Sequence, residues 1–266
     1  MAGLEGIDAT SMELVDALQA QFIYDEAERL VKPLIRHADF VPVAVHRDAV
    51  AAAVARGQNP QGDAIAMDWR EPEAKRCIAR VRFGMPGFQG RLITNARDDK
   101  LTEARTWKSL LGKPEHHCLT AVSYVVERAA KDADRVGGIE PGATYRIQRR
   151  DGRPMIVPGL CAVRKLEFSS TGNVYHDLAH VQITSDANAF IGKIHDRFVV
   201  DLDRVAADAW MAGNDVALAP ADDDAYEMVP VSSEVWTRRK DPDVVAPTGD
   251  AIVWDDVAGK GQQALF

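Results

Sequence analysis

The sequence predicts an α+β fold. Strand-like and helix-like segments follow one another irregularly along the 266 residues, and short turns join several of the strands. The pattern lacks the regular strand–helix alternation of a Rossmann-type sheet. A chain of this length forms one large domain or two small ones and buries a substantial core. We expect a single folded domain over residues 1–240, followed by a flexible tail over 241–266.

The N-terminal half contains helices and strands with clear boundaries. Thr10 and Glu13 form a capping-box pattern, and apolar residues follow at helical spacing, so a helix is predicted over about 11–22. Residues 41–55 indicate a strand followed by a helix, and residues 57–62 a loop. Alternation predicts a strand over 79–83 that ends at 84–87. A helix is predicted over 102–111, with Gly112 as its C-terminal stop.

The C-terminal half is richer in strands. Residues 118–127 form a β-rich run, and Asp151-Gly152 between two strand-like segments is typical of a hairpin turn. A strand is predicted over 181–184, and helices over 187–194 and 201–211. After Asp241, Pro, Gly and Asp dominate and the periodicity fades, which predicts the flexible tail.

Composition narrows the class of protein. The sequence has 46% hydrophobic and 27% charged residues, and no apolar run reaches the roughly 20 residues of a membrane-spanning helix. The first residues lack the basic and apolar regions of a signal peptide. Three widely spaced cysteines fit a reducing compartment better than a disulfide framework. We therefore expect a cytoplasmic protein with no membrane contact.

The charge is distributed unevenly. The net charge is −8, but residues 201–266 hold 5 Lys and Arg against 14 Asp and Glu, which leaves 27 against 26 in residues 1–200. A groove lined by basic residues could hold a phosphate backbone despite the acidic total, although an ordinary solvated surface is the alternative. The basic residues cluster at Lys75, Arg76, Arg80, Arg82, Arg91, Arg97 and Lys100, and again at Arg146, Arg149, Arg150 and Arg153.

Six short motifs occur in an ordered series over residues 80–245. They are Arg82-Phe83-Gly84-Met85-Pro86, Thr94-Asn95-Ala96-Arg97, Cys118-Leu119 with Glu127, Asp151-Gly152-Arg153-Pro154 with Gly159-Leu160, the run ending Ile194-His195-Asp196-Arg197, and Pro230-Val231-Ser232. In this order the motifs resemble the SOS response-associated peptidase (SRAP) family. The resemblance implies a mixed or antiparallel, barrel-like β core flanked by helices, with a groove for single-stranded DNA.

The family captures abasic sites in single-stranded DNA as covalent protein–DNA crosslinks, and the resemblance implies a role for each matching residue. An N-terminal amine attacks the aldehyde of the ring-opened abasic sugar, and the family's cysteine at position 2 then closes a thiazolidine ring. Glu127 would act as general acid and base, His195 would exchange a proton at the sugar oxygen, and Asn95 would orient the sugar or amine. The residues expected to contact DNA are Gly3, Arg82, Phe83, Arg97 and Arg197.

Taken singly, each of these residues has an ordinary alternative. Glu127 could face solvent at a strand end, His195 could be a satisfied histidine at a helix end, and Asn95 could cap a helix or turn. Arg97 could form a surface ion pair of small value. Phe83 could stack on or wedge between bases, or could belong to the core. Their joint order favours the catalytic interpretation.

The N-terminus departs from the family pattern Met-Cys-Gly-Arg. The chain begins Met1-Ala2-Gly3-Leu4, so both the thiol and the arginine are missing. Ala2 is either a deliberate replacement of the cysteine or the residue of a natural branch. With Met1 removed, Ala2 still exposes an amine that can form a reversible imine, but a stable thiazolidine cannot form. The family name also implies a peptidase activity, which removal of Met1 by a general aminopeptidase would make unnecessary.

No metal or cofactor is expected. His116, His117 and Cys118 suggest zinc, but adjacent side chains rarely point at one ion, and no second Cys/His pair stands at a zinc-site spacing.

The last residues suggest a protein partner. Gln262, Leu265 and Phe266 resemble the bacterial sliding-clamp binding motif Gln-x-x-Leu-Phe. A flexible tail with a Leu-Phe anchor suits a hydrophobic pocket, and packing of the tail on its own domain is the alternative.

The resemblance therefore implies abasic-site recognition and crosslinking in DNA repair, by a nucleoid-associated protein. One alternative is a non-catalytic DNA-binding or sliding-clamp adaptor protein with the same fold. Another is an unrelated hydrolase that uses Glu127 and His195.

Overall fold

A computed structural model of the protein describes residues 4–22, 29–35, 39–56, 75–87, 91–168, 173–238 and 241–258. The strands are β1 (Leu4–Thr10), β2 (Gln21–Phe22), β3 (Arg29–Ile35), β4 (Phe40–His46), β5 (Arg76–Phe83), β6 (Met85–Pro86), β7 (Leu92–Ile93), β8 (Asn95–Arg97), β9 (His117–Val122), β10 (Tyr124–Arg128), β11 (Thr144–Arg149), β12 (Met155–Phe168), β13 (Asn173–Asp186), β14 (Arg197–Val199), β15 (Tyr226–Val231) and β16 (Ile252–Val253). The α-helices are α1 (Ser11–Leu18), α2 (Arg47–Val54), α3 (Arg105–Lys108), α4 (Arg204–Met211) and α5 (Trp254–Ala258).

Five strands close into a barrel. In the order β13-β12-β9-β4-β5, each strand pairs with the next, and β5 returns to pair with β13. The closing contact is parallel and the other four are antiparallel. Beyond the ring, β8 continues along the β5 edge of β13, and β14 continues along the β12 edge. The sheet is therefore mixed and barrel-like, as predicted.

A second sheet of six antiparallel strands lies beside the barrel. Its order is β16-β15-β11-β10-β1-β3. The apolar core of the barrel includes Ile78, Val81 and Val181, and Trp210 of α4 packs over it, donating its indole N–H to the carbonyl oxygens of Cys118 and Gly159. A separate core under the six-stranded sheet includes Tyr145, Phe190, Tyr226 and Met228.

Local sequence signals place the first helix but not its end. The Thr10 hydroxyl accepts a hydrogen bond from the Glu13 amide at 3.1 Å, and the Glu13 carboxylate accepts one from the Thr10 amide at 2.6 Å, so the predicted capping box is formed. The helix stops at Leu18 instead of residue 22. Gln19 adopts a left-handed conformation with φ 52°, which turns the chain so that β2 can join β5.

Several predicted elements differ because their partners are distant in sequence. The run 118–127 is divided at Ser123, with β9 in the barrel and β10 in the other sheet. Gly152 makes the expected turn with φ 73°, but β11 and β12 pair with other strands, so the hairpin prediction was wrong. The predicted helix over 102–111 is reduced to α3, and that over 187–194 to a short 3-10 helix at Ile191–Lys193.

The beginning of the predicted tail is folded. Residues 241–258 contain a 3-10 helix at Pro242–Val245, strand β16 and helix α5. Ile252 and Val257 are buried in the core under the six-stranded sheet, and this burial holds the segment in place. The boundary of the folded domain therefore extends beyond residue 240. Among the described residues, no helix combines the length and apolar character needed to cross a membrane.

Candidate active site between the two sheets

A cavity of about 240 Å³ lies where the barrel meets the six-stranded sheet. One wall comes from β1 and β10, and the other from β8, β13, β14 and the loop before β14. The lining residues are Glu5, Asn95, Arg97, Val125, Glu127, Thr184, His195, Asp196, Arg197, Phe198 and Val199. The cavity thus brings together Asn95, Glu127, His195, Arg97 and Arg197, five of the site residues selected from sequence.

Asn95 is held in register at the end of the barrel. Strand β8 runs parallel to β13, with Asn95 opposite Gln182. The backbone N–H of Gln182 donates a hydrogen bond to the backbone carbonyl of Thr94 at 2.8 Å. The Asn95 Oδ1 atom is buried and has no hydrogen-bond partner in the described part of the chain. A buried acceptor without a partner is costly, so its presence at a cavity wall indicates a place for a polar ligand.

Glu127 stands on the opposite wall. It lies in β10, opposite Tyr145 of β11, and is only 6% exposed. Pairing of β10 with β1 on one side and β11 on the other fixes its backbone. The ordinary alternative of a solvent-facing strand end does not describe this residue.

Glu5 is a cavity residue that the sequence analysis missed. Its side chain is 4% exposed, and burial raises its pKa to about 8, with a smaller opposing effect from the neighbouring Gln182 amide. Glu5 lies on the same face of β1 as the buried residues Ile7 and Ala9. A glutamate at the inward position of an alternating strand was the signal that could have revealed it.

His195 has one nitrogen engaged by the backbone. Its Nδ1 lies 2.9 Å from the Arg197 carbonyl oxygen and 3.1 Å from the Arg197 amide nitrogen, so it bonds one or the other according to the tautomer. Asp196 lies 3.4 Å from the same nitrogen. These contacts orient the ring and leave Nε2 as the nitrogen that can exchange a proton with a ligand.

The two arginines of the cavity have different surroundings. Arg97 is 57% exposed and forms a two-pronged ion pair with Asp99 at 2.9 Å. Arg197 is 14% exposed, and its guanidinium contacts Asp98 at 2.7 Å, Asp186 at 2.9 Å and the Thr184 carbonyl. Arg197 therefore links β13 and β14 to the turn after β8, whereas the guanidinium of Arg97 is accessible to a ligand.

The model of the family described as SOS response associated peptidase (SRAP) matches residues 21–238. The chain belongs to the SRAP family. Membership associates it with the SOS response and with DNA repair in general. No curated protein matches the chain.

Three solved structures share the SRAP fold seen here. A structural-genomics protein of Bacteroides thetaiotaomicron is 14% identical, with a TM-score of 0.60 over 92% of this chain and 99% of its own. A protein of Bordetella bronchiseptica is 16% identical, with a TM-score of 0.53 over 87% and 100%. A phage-related protein of the same organism is 18% identical, with a TM-score of 0.54 over 88% and 95%. At these identities the likeness concerns the fold.

Two residues of the SRAP motif around Gly84 do not reach the cavity. Arg82 is buried in the barrel, forms an ion pair with Asp177 and lies 4.4 Å above the Phe40 ring. Phe83 is buried and its ring centroid lies 5.3 Å from that of His180. The prediction that these two side chains contact DNA is corrected by their burial: for Phe83 the core alternative applies, and Arg82 is occupied by Asp177.

The histidines beside Cys118 are used separately. His116 Nδ1 lies 3.1 Å from the Cys161 carbonyl oxygen, and His117 Nδ1 lies 2.6 Å from the Trp210 carbonyl oxygen. In the described ranges no group of three or more His, Cys, Asp or Glu side chains is placed to hold a metal ion.

Five other residues selected from sequence lie outside the described part of the chain. They are Ala2 and Gly3 at the N-terminus, and Gln262, Leu265 and Phe266 at the C-terminus.

Proposed function

We propose that this SRAP protein recognises abasic sites in single-stranded DNA and links its N-terminal amine to their aldehyde. The observation that carries the proposal is the convergence of Asn95, Glu127 and His195, from three separate segments, on one cavity. Two of the three are on opposite sheets, so a sugar in the cavity would meet polar groups from both walls.

The residues suit the protons that must move in this reaction. The sugar ring opens as its hydroxyl proton leaves and the ring oxygen gains one, which gives the aldehyde; the amine then adds to the aldehyde carbon. Glu127 would take the proton that the attacking nitrogen loses, and the Nε2 side of His195 would deliver a proton to the ring oxygen. Asn95, with its unpartnered Oδ1, would accept a hydrogen bond from the sugar or the amine.

Alanine at position 2 limits the product. Addition of the amine and loss of water give an imine, which water can reverse. The cysteine thiol that closes the thiazolidine in the family is replaced by the methyl group of Ala2. We therefore propose a reversible covalent adduct for this chain.

Arg97 would hold a phosphate next to the lesion. Its exposed guanidinium lies at the cavity, and a phosphate could replace the Asp99 carboxylate as its partner. The acidic residues Asp98, Asp99 and Asp186 lie beside the two arginines, so we expect binding to be modest and to weaken with salt.

The test is reductive trapping. The protein is mixed with single-stranded DNA that carries one abasic site, and borohydride is added to reduce any imine. Undamaged DNA and DNA with a tetrahydrofuran analogue, which has no aldehyde, are the controls. We expect a trapped adduct with the abasic DNA alone. Absence of an adduct, with the protein still binding the DNA, would favour the non-catalytic DNA-binding alternative that the loss of the cysteine suggests.

We also propose that Gln262, Leu265 and Phe266 bind the bacterial sliding clamp. The support is the sequence motif. Binding of the full chain to the clamp, compared with that of a Leu265→Ala and Phe266→Ala double variant, tests the proposal.

A further inference from the structure

We propose that Glu5 is a second proton-transferring residue of the site, which protonates the departing hydroxyl when the amine–aldehyde adduct loses water. The inference rests on the proposed function above. It assigns a role to a residue that none of the family motifs identified in the sequence contains.

The register of the six-stranded sheet places Glu5 near Glu127. Glu5 of β1 is directly opposite Val125 of β10, and Glu127 is two residues further along the same strand. The two glutamates are therefore diagonal neighbours on one face, about 7–8 Å apart at Cα. Both line the cavity. A reacting carbon between them could be reached by one carboxyl for each of two proton transfers.

The carboxyl of Glu5 is buried among apolar neighbours, as is typical of catalytic carboxyls. Its Oε2 atom is buried without a hydrogen-bond partner in the described ranges. Its in-register neighbours on the two adjacent strands, Val125 and Ile35, are apolar. Burying a carboxyl without full pairing is costly, and such groups concentrate at functional sites.

Other unpartnered polar atoms accompany Glu5. The Oδ1 of Asn95 is buried at the same cavity without a partner in the described ranges, and Gln182, which is opposite Asn95 in β13, reaches Glu5 only through a hydrogen bond of poor geometry. Two buried acceptors without a good partner, Asn95 Oδ1 and Glu5 Oε2, at one cavity are unusual in a packed core. Together they indicate a site built to receive a polar ligand.

The protonation state of Glu5 suits an acid. Burial raises its pKa to about 8, so the carboxyl is mostly protonated at pH 7. The charged groups that share the cavity are Glu127 from β10, Arg97 from β8, Asp196 and the titratable His195 from the loop before β14, and Arg197 from β14. Burial is the main cause of the raised pKa, and a side-chain hydrogen bond with Gln182 of β13 opposes it.

Glu5 would act in the step that follows addition of the amine. Addition of the amine gives a carbinolamine, with nitrogen and a hydroxyl on the same carbon. The Glu5 proton moves to that hydroxyl as the carbon–oxygen bond breaks, and the nitrogen lone pair forms the carbon–nitrogen double bond. The products are an iminium ion, water and the Glu5 carboxylate, which regains a proton from solvent. No oxidant or reductant takes part.

The test compares trapping rates under single-turnover conditions with excess protein and cyanoborohydride. The Glu5→Gln variant keeps the size and removes the proton. Glu103→Gln, which changes an exposed glutamate paired with Lys100, is the matched control. We expect Glu5→Gln to trap abasic DNA at least tenfold more slowly than the unmodified protein at pH 6–7, and the difference to shrink above pH 8. Binding to the tetrahydrofuran analogue should be unchanged.

The outcomes separate the inference from the proposed function. If the unmodified protein traps no DNA, the proposed function fails and the inference with it. If it traps DNA and Glu5→Gln does so equally fast at every pH, only the inference fails. If Glu5→Gln does not fold, the infrared band of a protonated carboxyl in the unmodified protein decides: we expect it to disappear near pH 8 and to be perturbed by abasic DNA. A carboxyl already ionised at pH 6 would overturn the inference.

Discussion

Asn95 and Glu127 face one cavity from two different β-sheets. Asn95 is in the strand that extends the barrel along β13, and Glu127 is in the middle of the six-stranded sheet. The site therefore depends on how the two sheets meet, and neither sheet alone contains it. The backbone of each residue is fixed by strand pairing on its own side, which gives the rigid support that the proposed reaction requires.

Removal of either residue is expected to slow trapping without unfolding the protein. Glu127→Gln removes the carboxylate that we propose takes the proton of the amine, so we expect roughly a hundredfold slower trapping. Asn95→Ala removes an acceptor that has no protein partner in the described ranges, so stability should change little and trapping should fall about tenfold. Asn214→Ala, at an exposed position of the loop after α4, is the control. Equal rates for all variants would contradict the site assignment.

Replacing Arg82 is expected to lower the stability of the protein, and replacing Arg97 is expected to weaken its binding of DNA. Arg82→Ala leaves Asp177 buried without its guanidinium, so we expect a loss of about 3–5 kcal/mol in the free energy of unfolding. Arg97→Ala removes an exposed side chain and should leave stability nearly unchanged, while it weakens single-stranded DNA binding and lowers the salt slope by about 0.7. Denaturant titration and fluorescence anisotropy at several salt concentrations give both values. Weaker DNA binding by a fully folded Arg82→Ala protein would contradict this division.

Arg82 and Arg97 show that the sequence predicts local features but does not predict contacts between distant segments. Both belong to motifs that were selected together, and the sequence does not reveal which one a buried aspartate almost a hundred residues away neutralises. The capping box of α1 was predictable because its partners are three residues apart. The division of the run 118–127 at Ser123 was not predictable. Strands β9 and β10 join different sheets because each pairs with strands that are distant in sequence. Likewise the turn at Gly152 was local and predictable, whereas the sheets that its flanking strands join were not.

The free energy of unfolding should depend on pH through the titration of Glu5. The pKa of Glu5 is raised from about 4.5 to about 8 on folding, so the folded state holds a proton that the unfolded chain has already released between these values. The contribution of the protonated carboxyl is fully present below pH 4.5 and is lost as the pH rises to 8. We expect its loss to reduce the free energy of unfolding by an amount on the order of a few kcal/mol.

The Glu5→Gln variant isolates this effect because glutamine does not titrate. The difference in free energy of unfolding between the variant and the unmodified protein should shift in favour of the variant between pH 5 and pH 8.5. Denaturant titrations at both pH values measure it, with Glu103→Gln as the control. A difference that does not change with pH would show that Glu5 titrates in the folded protein as it does in the unfolded chain.

Abasic-site crosslinking is tested by a denaturing gel of the Ala2→Cys variant beside the unmodified protein, each mixed with abasic single-stranded DNA with and without borohydride. A thiol at position 2 should allow the imine to close into a thiazolidine. We predict an adduct of Ala2→Cys that survives the gel without reduction, and an adduct of the unmodified protein that appears only after reduction. If neither protein forms an adduct under either condition, abasic-site crosslinking is not the chemistry of this cavity.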